Sequence, residues 1–180
     1  MAEGPAPTRD IDFTLNGDAV SRTVSSRMLL VHFLRDTLGL RGPKIGCDTG
    51  HCGACSVSYE GKVIKSCMML AVQADGVEID TVESLAGESG DLDELQESFR
   101  EHHGLQCGYC TSGVLMSAKF LLERNPNPSA DEIREALHGN LCRCTGYMNI
   151  VKAISAAAHG DSGLALVERL NREHAKEVSA

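Results

Sequence analysis

Apolar and polar positions alternate over Ile11-Asp12-Phe13-Thr14-Leu15, the period of a half-buried strand, and Asn16-Gly17 follows as a tight-turn signal. The alternation returns through Val20 to Val24, so the spacing predicts a hairpin at a sheet edge. Ser25 then stands as an N-cap before Met28, Val31, Leu34 and Leu38, which recur at helical spacing, with Gly39 as the expected stop. Beyond a glycine-rich loop, Val57 and Tyr59 lead through Glu60-Gly61 to Val63 and Ile64, and Val77, Ile79 and Thr81 alternate as a closing strand. The first eighty-odd residues read as α+β.

From Asp91 the period changes to that of helices. Leu92, Leu95 and Phe99 share one helical face, Asp91 with Glu94 has the form of a capping box, and Gly104 is the expected terminator. Val114, Leu115, Ala118, Leu121 and Leu122 make a second helix that Asn125-Pro126-Asn127-Pro128 stops. Ser129 with Glu132 opens a short third helix through Ile133 and Leu137 to Gly139, and Ile150, Val151, Ile154 and Ala157 mark a last one. A bundle of about four helices is expected here. The pattern divides the chain into 10–84, 85–160 and a polar tail at 161–180 that is expected to be a surface appendage.

Charge narrows the possible partners. Lys and Arg total 17 against 25 Asp and Glu, a net charge of −8, with no basic cluster, so no footprint for nucleic acid is present. The stretch Met1–Asp10 lacks the apolar run of a secretory signal, and no window approaches the roughly 20 apolar residues of a spanning helix. A cytoplasmic location is expected, with any membrane association peripheral and made through a partner. In a reducing compartment the 8 cysteines point to metal or redox chemistry rather than to disulfides.

The cysteines fall into two sets of four. Cys47, Cys52 and Cys55 have C-x4-C-x2-C spacing with Cys67 further on, the spacing of plant-type 2Fe–2S proteins. Three thiolates must converge from one tight loop, and Gly46, Gly50 and Gly53 supply conformations that a side chain would block. Their N–H groups can also point at sulfur, offsetting a cluster's negative charge. The second set is Cys107 and Cys110 with Cys142 and Cys144, each pair just before a predicted helix whose N-terminal dipole favours an anionic site. Four thiolates per cluster give two clusters and leave no spare thiol.

Zinc also accepts four thiolates, and it stays open for the second set above all. His51 reads as a loop residue, because a Rieske centre replaces two cysteines by histidine and here all four are present. His102 and His103 read as dipole-complementing residues at a helix end, Met68 and Met69 as packing on the cluster loop, and Gln106 as either solvent-facing or turned to a cofactor. No dinucleotide fingerprint and no nucleophile–base pair stands out, so no catalytic residue is assigned.

Ile45-Gly46-Cys47-Asp48, His51-Cys52-Gly53-Ala54-Cys55, Leu105-Gln106-Cys107-Gly108-Tyr109-Cys110-Thr111 and Gly139-Asn140-Leu141-Cys142-Arg143-Cys144-Thr145-Gly146-Tyr147 resemble the small iron–sulfur subunit of the xanthine oxidase family of molybdenum hydroxylases. The likeness runs over about 11–158. Within the family, the 47–55 loop and Asn149-Ile150-Val151-Lys152-Ala153-Ile154 look most like the small chain of aerobic carbon monoxide dehydrogenase.

The resemblance implies a ferredoxin-like β-grasp domain followed by an all-α four-helix-bundle domain, each with one 2Fe–2S cluster. It implies partners: a large subunit carrying molybdopterin cytosine dinucleotide, with molybdenum and, as an option, copper, and a medium subunit carrying FAD, assembled as a dimer of heterotrimers. Electrons would pass from molybdenum to the cluster at Cys107, Cys110, Cys142 and Cys144, then to that at Cys47, Cys52, Cys55 and Cys67, then to FAD. Gln106 and Cys144 would contact the pterin. The net reaction expected is CO oxidation with water to CO2, two electrons and two protons. The alternatives are the same role in an aromatic-heterocycle or aldehyde hydroxylase, and a free two-cluster carrier. Ser112 departs from the proline that many relatives carry, which touches no ligand.

Overall fold

β1 (Thr8–Leu15) and β2 (Asp18–Ser25) pair antiparallel from Thr8↔Ser25 to Leu15↔Asp18 in a computed structural model that describes residues 6–87 and 89–159. Asn16 (φ 52°) and Gly17 (φ 86°) both take the left-handed region, as a two-residue hairpin turn matching the strand twist requires. β3 (Ser56–Tyr59) and β4 (Lys62–Lys65) repeat the device through Glu60 and Gly61, and β5 (Glu78–Asp80) closes the sheet. The strand order is β2-β1-β5-β3-β4, with β1 and β5 parallel and the other pairs antiparallel. β2 is the open edge expected from the pattern.

Across this sheet lies α1 (Leu30–His32), which continues as a wider π-helical turn, Phe33–Thr37. Its N-terminus corrects the sequence reading: Ser25 ends β2 and caps nothing, and the N-cap is Leu29, which offers no side-chain acceptor. The wide turn arises because Leu38 N–H reaches back five residues to Phe33 O. It lets Leu30, Phe33 and Leu34 all face Ile11, Phe13, Val57 and Ile79 in one buried cluster, with the Phe13 and Phe33 rings 5.9 Å apart. Each such side chain contributes about 1.5–3 kcal/mol on burial. Gly39 (φ 76°) ends the element as expected.

The helical part follows as α2 (Glu94–Glu101), α3 (Thr111–Arg124), α4 (Ala130–Ala136) and α5 (Met148–His159). The box of α2 is Asp93 with Gln96, not Asp91 with Glu94: Gln96 N–H donates to Asp93 Oδ1 at 2.7 Å, and Leu92 lies outside the helix, exposed. At its other end His103 (φ 55°), not Gly104, takes the left-handed position; Gly104 N–H bonds Phe99 O at 2.9 Å, and a Cβ there would press on the Phe99 ring. Ser129 and Glu132 form the expected box on α4. Leu95, Phe99, Val114, Ile133, Ile150 and Ile154 bury together, joined by Leu85 from the connecting turn Val82–Leu85. The polar tail expected over 161–180 lies outside the described residues.

Candidate metal centres

The sheet and the bundle meet where the cysteines are. The first three stand on the loop before β3; Cys67 stands on a 3-10 turn after β4. Ser66 brings these segments together by donating its hydroxyl to Cys55 O at 2.7 Å. Cys55 and Cys67 are buried with Val31, Leu29 and Ile45, whereas Cys47 and Cys52 are half-buried. Two N–H groups aim at Cys47 Sγ, those of Cys52 at 3.3 Å and Thr49 at 3.5 Å. The donors are therefore Thr49 and Cys52 rather than the loop glycines. Gly50 and Gly53 adopt positive φ as anticipated; Gly46 does not, and it is small because a Cβ would lie 2.8 Å from Cys52 Sγ.

In the second set, Cys110 is the residue just before α3, and Cys142 and Cys144 lie on the loop into α5. Cys144 Sγ donates to Cys107 Sγ at 3.5 Å, and both residues are exposed; further in, Cys110 is half-buried and Cys142 buried. Cys142 Sγ also meets Thr145 Oγ1 at 3.2 Å. Each set thus has an inner and an outer pair. No three His, Cys, Asp or Glu side chains among the described residues close on one point as a single tetrahedral ion requires.

Environment spreads the thiol acidities. Hydrogen bonds from the Thr49 hydroxyl and from the Cys52 and Thr49 backbone lower Cys47 to about 6. Burial lifts Cys55 to about 11 and Cys110 to about 12. Cys107 is lowered by the Tyr109 backbone and then by Cys144, while Cys144 is raised by the bond it gives Cys107. For Cys142, burial works upward, but the Thr145 hydroxyl and backbone outweigh it and the net shift is down. The expected result is an ordered reactivity. In the metal-free chain at pH 7, Cys47 is expected to be the more thiolate-rich residue, so iodoacetamide should label Cys47 ahead of Cys55 and Cys110 in peptide mass maps.

The donor chemistry fits 2Fe–2S clusters. Iron in such clusters takes two thiolates each, which the inner and outer pairs could provide. Thr111 Oγ1 and Ser112 Oγ, at the start of α3 beside Cys110, are buried with no hydrogen-bond partner among the described residues, as donors reserved for another acceptor would be.

The loops of the two sets are joined directly. Leu141 N–H donates to Cys52 O at 2.8 Å; Asn140 Nδ2 donates to Gly53 O at 3.2 Å while its Oδ1 accepts from Ser117 Oγ at 2.8 Å. Tyr109 Oη donates to Ile45 O at 2.7 Å. Gly113 and Gly53 permit the closest approach, since a Cβ on Gly113 would enter Gly53 O. Asn140, Ser117, Gly113 and Leu141 have no metal-ligating character, so the spacing of cysteines gave no signal for them.

The other residues singled out from sequence take their places around the rim. Gln106 is exposed beside Cys107. His51 is an exposed loop residue, its Nδ1 3.2 Å from Thr49 Oγ1. Met68 covers Gly50 yet is itself exposed, and Met69 packs on the sheet core instead of on the loop. His102 and His103 follow α2, as expected.

Comparison with known proteins accords with this geometry. Residues 81–155 match a family described as the 2Fe–2S binding domain. Over 151 residues the chain is 51% identical to caffeine dehydrogenase subunit gamma of Pseudomonas sp. (strain CBB1), covering 82% of this chain and 90% of that one. It is 49% identical over 150 residues to the nicotine 6-hydroxylase small subunit of Paenarthrobacter nicotinovorans, covering 83% and 90%. The solved structure of quinoline 2-oxidoreductase from Pseudomonas putida 86 superposes with a TM-score of 0.81 at 48% identity, covering 87% of this chain and 96% of that one. With its paired thiols, mixed α+β architecture and near full-length relatives, the chain belongs to the small, electron-transfer iron–sulfur subunits of the xanthine oxidase family of molybdenum hydroxylases.

Proposed function

We propose that this chain relays electrons within a molybdenum hydroxylase whose substrate is a nitrogen-containing aromatic heterocycle. Cys47, Cys52, Cys55 and Cys67 would hold one 2Fe–2S cluster, and Cys107, Cys110, Cys142 and Cys144 the other. When bound, these supply one-electron relay from a molybdopterin cytosine dinucleotide site on a large subunit, through the second set and then the first, to FAD on a medium subunit. The observation that carries the reading is the direct bond between the two ligand loops, Leu141 N–H to Cys52 O, which fixes their separation with one hydrogen bond between residues 89 apart in sequence.

Residues 10–84 and 85–160 serve as the two cluster-holding units, a β-grasp ferredoxin-like one and a helical bundle. The separate apolar clusters, one around Phe33 and one around Phe99, support that division. Gln106 and Cys144 would contact the pterin, and both are exposed on the rim of the second set. The same rim carries Leu105, Tyr109, Leu141 and Met148, exposed by 39–64%, an apolar face suited to a permanent partner rather than to a free carrier. A dimer of heterotrimers is the expected assembly.

The relatives described above are named for caffeine and nicotine, and the superposed structure for quinoline; none of them is named for CO. The heterocycle reading therefore takes precedence over the CO oxidation that the loop motifs favour. The test is native purification from source with its partners, then dye reduction with a panel of N-heterocycles, aldehydes and CO. Heterocycle-dependent reduction with molybdenum, FAD, iron and sulfide present is the expected result. CO-dependent reduction overturns the substrate, a chain without partners overturns the subunit role, and zinc without sulfide overturns the clusters.

A further inference from the structure

Lys65 lies at the end of β4, two residues before Cys67, and its side chain turns back over the ligand loop. Its Nζ donates to Gly50 O at 2.6 Å, inside the loop between Cys47 and Cys52, in a part-buried setting. The same ammonium would stand 3.7 Å from a Cβ on Gly139, so it sits near the loop that carries Cys142 and Cys144 as well. Among the described residues it forms no ion pair. The other charges beside the cysteines, Asp48 and Arg143, are exposed and screened by water.

Resting on the reading above, we infer that Lys65 is a positioning and charge-setting residue for the first set, making that centre the better electron acceptor of the two. Reduction adds one electron, hence one negative charge, with no bond made or broken. A fixed cation at the loop favours the more negative state, and it does so most where it is closest and least hydrated. Its hydrogen bond holds Gly50 at the same time, so the charge and the loop geometry are set by one side chain. The effect biases transfer in the direction from Cys107, Cys110, Cys142 and Cys144 toward Cys47, Cys52, Cys55 and Cys67.

The test is a redox titration followed by electron paramagnetic resonance on the intact complex carrying Lys65→Gln, Lys65→Met or Lys65→Arg. Two reducible signals in the unaltered complex are the precondition; their absence refutes the cluster reading itself rather than the role of Lys65. Lys65→Gln keeps a donor for Gly50 O and removes the charge, and the midpoint of the first centre is expected to fall while the second moves less. Lys65→Arg should restore it. An unchanged midpoint in Lys65→Gln, equal shifts at both centres, or a fall in Lys65→Arg as large as in Lys65→Gln overturns the inference. Should Lys65→Met lose iron, Lys65→Gln still decides.

Discussion

Replacing Gly53 by alanine is expected to unfasten the two halves of the molecule and to lower thermal stability sharply. Gly53 has φ +70°, and a Cβ there would collide with the backbone carbonyl of Gly139 and lie 2.8 Å from Asn140 Nδ2. The Gly139 carbonyl is backbone, and Asn140 is buried and held by its bonds to Gly53 O and Ser117 Oγ, so backbone must move. Left-handed strain and overpacking together amount to about 3 kcal/mol or more. In a chain of this size that is a fall of roughly 6–12 °C in Tm. Gly61→Ala is the matched control, because Gly61 has φ +67° but open space around it. The difference between the two melting curves isolates the collision. Gly113→Ala, which strikes Gly53 O from the other side without any left-handed strain, should reproduce the collision part of the Gly53→Ala effect, and a small loss in both would show that the seam yields easily.

Removing a thiol from either set is the second large change. Cys142→Ala leaves Cys107, Cys110 and Cys144, and iron with sulfide should drop from about four to about two atoms each per chain. Cys142 is buried in the helical core, so a modest loss of stability accompanies it, but the first set is untouched. Cys67→Ala should give the same halving from the other side. There the cost in folding is greater, because Cys67 and Cys55 pack with Val31 beneath α1. Metal and sulfide analysis checks both variants, and spectroscopy identifies which centre survives. Loss of all iron from Cys142→Ala would mean that the centres assemble as one unit.

Much of this architecture is legible in the amino-acid sequence, because its signals are local. Asn16-Gly17, Glu60-Gly61 and the Ser129/Glu132 box each specify their conformation within four residues. The start of α2 is not, since Asp91…Glu94 and Asp93…Gln96 offer the same local device and the choice rests on which register buries Leu95 and Phe99. The π-helical turn of α1 likewise depends on three side chains reaching one sheet face. The two cysteine sets could be read from spacing; the residues that set the sheet loop against the bundle could not. Asn140 meets Gly53 across 87 positions, and Gly113 looks like a weakness in α3 until Gly53 O is found against it.

That seam bears on how such chains are inherited. Leu141 N–H, Asn140 Nδ2 and the bare face of Gly113 are matched to two consecutive carbonyls, Cys52 O and Gly53 O. A recombination joint near 84 would bring together a loop and a helix that had never been fitted to one another, and any side chain at either glycine would hold them apart. The two halves are thus expected to descend as a single block, with exchange tolerated at the outer edge strand β2 and at the exposed helix surfaces, and refused across the line between the cysteine loops.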